Sequence, residues 1–307
     1  MQRSMSPIMC LFDRIVSGYC EEFMDVAVES PGSSVSPLPA SLRQLNPLVV
    51  DDLIRLGVRM DGGYVVPRSA IVKADALLSF GLGPDWSFER DAADLNPRME
   101  IHVYDHTVGE RKFTADIETS LQRLRQDSVT TTPTDAAVAL FQIRALVELY
   151  QSYRRFFRGR VVHFQERVLD RVERADDVAL KTIFGRLDGR QNVALKMDIE
   201  GGEYRLIDGV LTYQDRIPMM VIEFHATEFL RDPFLEKLAS LGRSYEVVHI
   251  HGNNYVGLSD DGLPDLLELT FLHKNLCTST ARRGHLPVAG LDFPNDPKRE
   301  DHELLFA

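Results

Sequence analysis

The chain has 307 residues, 44% of them hydrophobic and 26% charged, with a net charge of −11. This composition excludes a mainly disordered or collagen-like chain, and the length leaves room for one large domain with embellishments or for two small ones. The acidic balance argues against a nucleic-acid partner, because neutralising phosphates needs a basic face.

The first stretch, "MQRSMSPIMCLFDRIVSGYC", reads as a short amphipathic helix. Asp13 and Arg14 interrupt its apolar run, so neither a signal-peptide core nor a bilayer span is expected. Cys10, Cys20 and Cys277 form no CxxC pair. The expectation is a reducing, cytoplasmic setting without a disulfide framework or cysteine zinc site. "SPGSSVSPLPAS" (Ser30 to Ser41) reads as a linker. An N-terminal helix and linker are thus expected over 1–45 and the main domain over 46–307.

Within that domain, the glycines of "DGGY" (Asp61 to Tyr64) predict a close-approach turn. "DALLSFGLG" (Asp75 to Gly83) is a strand ending in a glycine turn, followed by helical "FERDAADL". "EIHVYD" (Glu100 to Asp105) is the second strand, and a helical insertion covers about 111–159. Around its end Arg154, Arg155, Arg158 and Arg160 read as a solvated helix face, with a local basic patch as the alternative. "RVVHFQERV" (Arg160 to Val168) is the third strand, and "DDVALKTIFGRL" a helix with Asp176 or Asp177 near its N-cap. "NVALKMDIE" and "PMMVIEFH" are the fourth and fifth strands. "SYEVVHIHG" and "LLELTFLHK", joined too tightly for a crossover helix, should pair antiparallel. The alternation predicts a doubly wound α/β sheet, mostly parallel, with an antiparallel C-terminal hairpin strand.

Ligands of open α/β sheets bind beyond the C-terminal strand ends. Gly81 and Gly83 let the backbone turn there, and Asp105 stands about 20 residues further on, where a ribose diol is held in nucleotide-binding folds. The loop lacks a third glycine, and Asp85 would repel a pyrophosphate. It could instead hold an ammonium group, which S-adenosylmethionine has and NAD lacks.

Asp198 ends the fourth strand on the same face as Lys196, its candidate partner charge. Glu200 lies in the following turn, and Glu203 in the first turn of the next helix, where a carboxylate suits the free amides. Glu223 and His225 share a face of the fifth strand; His249 and His251 share one of the sixth, ahead of Asn253 and Asn254. Three readings stay open for this wall: a divalent metal, a general base, or hydrogen bonding to a polyhydroxylated substrate.

The stretch "LKMDIEGGEYRLIDG" resembles the K-x-D-x-E-G-x-E signature of FkbM-type S-adenosylmethionine-dependent methyltransferases, with Lys196, Asp198, Glu200, Gly201 and Glu203 matching. "RMDGGYVVP", "LLSFGLGPDWSFE" and "VYDHTV" are similar to upstream blocks of one branch of that family, and "LDFPND" to its tail. The likeness covers about Arg59 to Lys274. It departs at the glycine loop, where Ser79 replaces an acid and Asp85 the third glycine. The resemblance implies a class I methyltransferase fold binding S-adenosyl-L-methionine. Tyr64 would lie over the cofactor, Gly81, Gly83 and Asp85 beside its methionine moiety, Asp105 at the ribose and Glu166 near the adenine. Asp198 would stand next to the reacting methyl group. The implied activity is O-methylation of a sugar, glycan or polyketide-like hydroxyl, with His225 or His249 as base and Lys196 supporting Asp198. Glu200, Glu223, His251, Asn253 and Asn254 would face the acceptor, and a divalent metal would fall to Asp198, Glu223 and His225. The alternatives are an oxidoreductase using NAD or a nucleotide sugar, and a non-catalytic interaction module.

Overall fold

The computed structural model describes residues 36–126 and 132–306. The expected N-terminal helix, Cys10, Cys20 and most of the linker lie outside the described residues. Two units are present: residues 113–126 and 132–152 belong to one, and 36–112 and 153–306 to the other.

In chain order the elements begin with β1 (Leu53–Leu56), β2 (Tyr64–Pro67), α1 (Arg68–Lys73), β3 (Ala76–Phe80), α2 (Ser87–Leu95) and β4 (Glu100–Tyr104). Two long helices follow, α3 (Glu110–Gln126) and α4 (Pro133–Phe156). Then come β5 (Val161–Phe164), β6 (Arg167–Leu169), β7 (Asp177–Ala179), α5 (Leu180–Arg186), β8 (Val193–Met197), α6 (Glu203–Leu211), β9 (Met219–His225), α7 (Arg231–Leu241), β10 (Tyr245–Gly252) and β11 (Leu266–His273).

Seven strands form the main sheet in the order β10-β11-β9-β8-β3-β4-β5. The order reverses between β3 and β8, so the sheet is doubly wound and Rossmann-like. β11 runs antiparallel to both neighbours, β9 and β10, and the remaining pairings are parallel. A mostly parallel sheet with one reversed strand near its edge is the expected class I methyltransferase arrangement. The hairpin folds back so that its second strand enters between β9 and β10.

The two faces of the sheet differ sharply in chemistry. Leu78, Leu195, Met220 and Phe271 form one cross-strand row, and Phe80, Met197, Ile222 and Leu269 the next. Both rows belong to a dry core with Ile183 and Phe184 of α5, Leu206, Ile207 and Val210 of α6, and Phe234 and Leu238 of α7. The alternate positions carry Ser79, Lys196, Val221, Thr270 and His249 in one row, with Glu223, Glu268 and His251 in another. Period-two alternation therefore collects the buried polar groups on one side.

That polar side is covered by the β1–β2 hairpin, which the sequence shows only as a glycine turn. Leu56 pairs with Tyr64 across it. The connecting loop is held by Arg55, whose Nε donates to Val58 O and whose Nη2 donates to Met60 O, each at 2.8 Å. Thr270 Oγ1 donates to Val65 O at 2.6 Å and ties the hairpin to the sheet.

Two local expectations change. The third strand breaks after Phe164, where Glu166 N donates back to Phe164 O, and resumes as β6 beside β7 instead of continuing in the main sheet. Asp177 is not a helix cap. It accepts from Arg167 Nε (2.9 Å) and from the backbone N–H groups of Glu173 and Arg174, closing the β6–β7 turn, and α5 starts from Ala179 without a side-chain cap.

Candidate active site at the strand ends

The loop after β3 is built around two glycines that do different work. Gly81 has φ +81°, and a Cβ there would lie 1.6 Å from Asp198 O. Its missing side chain lets β3 and β8 close on each other, as Asp198 N donates to Phe80 O at 2.9 Å. Gly83 has φ +58°, and nothing lies within 4 Å of where its Cβ would be. That open side is space a ligand can use.

Asp105 follows β4 and braces this loop. Its Oδ2 accepts from Leu82 N (2.9 Å) and Gly83 N (3.0 Å); its Oδ1 accepts from Thr107 N and Oγ1, both at 2.6 Å. Burial opposes its charge, but the Thr107 hydroxyl and the amides outweigh it and hold the carboxyl below the ordinary aspartate value. Four donors fill the lone-pair positions of this carboxylate, so a ribose would have to replace Thr107. Asp85 accepts from Ser87 N (3.0 Å) and Ser87 Oγ (2.6 Å) at the start of α2, which leaves each oxygen a further acceptor position. Burial pushes its carboxyl up. Glu166 forms a bidentate pair with Arg186, whose guanidinium lies 4.4 Å from the Phe164 ring centre.

Asp198, Glu200 and His225 converge at the ends of β8 and β9. His225 Nε2 lies 3.4 Å from Glu200 Oε2 and 3.8 Å from Asp198 Oδ1. The other ring nitrogen, Nδ1, donates to Glu203 Oε1 at 3.0 Å. Glu203 is fully buried and also accepts from Ile199 N and Gly201 N. It therefore fixes the ring and directs Nε2 to the open side. Burial works against the charged ring, but Glu203, Asp198 and Glu200 outweigh it and raise the His225 pKa. Among the described residues, the non-glycine residues with positive φ are Glu200 (+55°), a member of this cluster, and Ala226 (+54°), next to His225. Backbone of that kind costs about 1–2 kcal/mol per residue and concentrates at functional sites.

Lys196 is buried and donates to Gly81 O at 2.8 Å, with Asp198 Oδ2 3.8 Å away. Burial disfavours its charge, but the surrounding acids, Asp198 first and then Glu89, reverse the balance and raise its pKa. It is the cation behind Asp198, as its position in the strand suggested.

Other expected site residues are enclosed by the protein. Tyr64 is 1% exposed, packs edge-on against Phe88, and lies within hydrogen-bond distance of Asp198 and Glu223. Enclosed in this way, it offers no free ring face to a cofactor. His249 is buried against Asp292, and His251 is buried between Glu268 and Asp301. Burial opposes the His251 charge, but Glu268, Asp301 and Asp292 outweigh it and raise its pKa to about 10. Asn254 donates to the carbonyls of Asp296, Arg299 and Glu300, so it ties down the C-terminal segment. Asn253 Nδ2 donates to Glu223 Oε1 (3.0 Å) and Asp61 Oδ1 (3.1 Å). Of the two strand-end histidines proposed as base, only His225 reaches the open edge.

Asp61, Glu268 and Asn295 join this network without having stood out in the sequence. Asp61 is exposed as a residue, but its Oδ1 turns inward to accept from Asn253 and Asn295, and the protein around that carboxyl pushes it up to about 6. The available signal was Glu268, a lone acid inside the apolar run "LLELTFL". Donor atoms of Asp61, Glu223 and Glu268 approach within 4.8 Å of one another, as do those of Asp198, Glu200 and His225. Amide N–H groups already point at all three carboxylates of the first group. In the second, the imidazole serves as partner to the acids. We assign a cation to neither. Among the described residues no helix is long and apolar enough to cross a membrane.

No protein-family model matches the chain, and no curated protein matches it. Solved structures with partial likeness include a fibrillarin pre-rRNA processing protein of Methanococcus jannaschii, 9% identical over 67% of this chain and 69% of that one, with a TM-score of 0.31. A precorrin-6y C5,15-methyltransferase of Geobacter metallireducens is 13% identical over 67% of this chain and 86% of its own, with a TM-score of 0.33. A predicted O-methyltransferase of Agrobacterium tumefaciens is 12% identical over 67% and 79%, with a TM-score of 0.31. At such low identities and scores the fold rests on the chain's own topology, and the chemistry on its own residues.

Proposed function

We propose that the chain is an S-adenosylmethionine-dependent O-methyltransferase whose acceptor is a hydroxyl of a sugar, glycan or similar polyol. The observation that carries this reading is the convergence of Asp198, Glu200 and His225 beside the loop of Gly81 and Gly83 at the C-terminal edge of the sheet. The FkbM-type resemblance of the same segment supports it. The open side of Gly83 fits a cofactor cradle. Asp85 would accept from the cofactor's ammonium, Asp105 would turn from Thr107 to the ribose, and Glu166 with Arg186 would border the adenine.

When bound, the cofactor supplies a methyl group on a sulfonium that leaves as a neutral thioether. His225 Nε2, aimed outward by Glu203, takes the acceptor's hydroxyl proton. Asp198, supported by Lys196, presents negative charge towards the sulfonium side of the reaction. Glu200, with its side chain 88% exposed, is free to hydrogen-bond a polyol at the rim. These groups align the acceptor for in-line attack.

Assaying a panel of sugars and phenols for methyl transfer, with and without chelator, tests the proposal. Methylation of sugar hydroxyls that persists in excess chelator is expected. Activity on phenols alone would overturn the acceptor class, and no transfer to any hydroxyl would overturn the reaction.

A further inference from the structure

Tyr64 Oη lies 3.0 Å from Asp198 Oδ2 and 2.9 Å from Glu223 Oε2. A phenol has one proton and can donate to only one of them. If both carboxyls were ionised, one oxygen would face the phenol's lone pair at close range with no hydrogen between them. The surroundings decide which carboxyl keeps its charge. Asp198 has Lys196 at 3.8 Å and His225 at 3.8 Å. Glu223 is buried, and its other oxygen accepts from Asn253 Nδ2. Among the described residues, no cation forms an ion pair with it. The groups facing it are Tyr64 of β2, Asp61 of the preceding loop, Lys196 of β8, Asp198 after β8, Glu268 of β11 and Asn253 after β10. Three of these are acids. Lys196 donates to Gly81 O and stands 3.8 Å from Asp198, and His251 is engaged by Glu268 and Asp301.

We propose that Glu223 is a neutral carboxylic acid at neutral pH, that it donates its proton to Tyr64 Oη, and that Tyr64 donates in turn to Asp198 Oδ2. Burial, followed by Asp198, Asp61 and Glu268, raises the Glu223 pKa well above the ordinary value, in agreement with that hydrogen-bond count. Glu223 and Tyr64 are then positioning residues. They hold Asp198 by one oxygen and leave Oδ1 facing His225. The catalytic part of this inference rests on the methyl-transfer reading above; the protonation state does not.

Infrared difference spectroscopy of the full chain without ligand tests it. Wild type at neutral pH should show a protonated-carboxyl C=O band that shifts in D₂O, disappears in Glu223→Gln and changes frequency in Tyr64→Phe. Glutamine can reproduce both bonds of the neutral acid, its carbonyl accepting from Asn253 and its amide donating to Tyr64. Methyl transfer lost in Glu223→Ala should therefore be rescued by Glu223→Gln. A wild-type spectrum without such a band, or a band retained in Glu223→Gln, overturns the proposal. If Glu223→Gln does not fold, the Tyr64→Phe frequency change decides, and an unmoved band overturns it. Because the band is read without turnover, its absence is distinguishable from a failure of the methyltransferase reading.

Discussion

At the residue scale, His225 is where chemistry and environment meet. Its pKa is raised above 6.5, because Glu203, Asp198 and Glu200 outweigh burial. A base must be neutral to accept a proton, so transfer should rise with pH through a value above 6.5. Replacing Glu203 by Gln removes one stabilising charge and should move that acidic limb to lower pH. His225→Gln should cut the rate by about 10² or more and abolish the limb. Profiles of kcat/KM against pH for the three proteins check this; a limb that persists in His225→Gln assigns the base elsewhere. Asp198, Glu200 and His225 stood out in the sequence because they lie at strand ends or in the turn just beyond, where ligands gather in this architecture. The tie of Tyr64 to Asp198 and Glu223 was not legible. It joins residues 134 and 159 positions apart, through a hairpin that carries no strong strand pattern.

At the scale of elements, the same loop holds a glycine required by packing and one with open space beside it. Gly81→Ala would drive a Cβ into Asp198 O and should cost about 3 kcal/mol or more, splaying β3 from β8. Gly83→Ala meets no atom within 4 Å and should cost only about 1 kcal/mol for its positive φ, yet weaken cofactor binding. Denaturant melts of both variants, with S-adenosylhomocysteine titrated into Gly83→Ala, separate the two roles. Equal destabilisation would refute the division. The strands of the main sheet were readable from their apolar runs and their alternation with helices. The division of the third strand was not, since "HFQERVL" stays compatible with extended backbone throughout. Its break is set by pairing of Arg167 with Asp177 and of Glu166 with Arg186. The same long-range bond removed Asp177 from its expected helix cap.

Across the whole molecule, the polar face of the sheet binds the C-terminal segment. His249 meets Asp292, Asn295 donates to Glu268, and His251 meets Asp301. The folded pKa of His251, about 10, exceeds its ordinary 6.5. Its contribution to stability is therefore fully present below 6.5 and lost as pH rises towards about 10. Wild-type Tm should fall over that window more steeply than that of His251→Gln; parallel falls would show that the pair does not stabilise the charged ring. The histidines of β10 were visible in the sequence, but their partners arrive from a tail without regular pattern, so "VHIHGNN" looked like an open wall and is a buried clasp. The doubly wound order, in contrast, followed from the alternation of elements alone.

The central claim, that the open edge beside Gly83 and Asp105 is a cradle for S-adenosylmethionine, is tested most directly by isothermal calorimetry of the full chain with S-adenosylmethionine, S-adenosylhomocysteine and NAD. The first two should bind at one site, and Asp105→Ala should weaken both by about 1–3 kcal/mol through loss of a charge-assisted ribose contact and of the brace on the loop. NAD should give no heat of binding, since Asp85 stands where a pyrophosphate would need free amides. Binding of NAD without the other two, or no binding of either S-adenosyl ligand, would contradict the account.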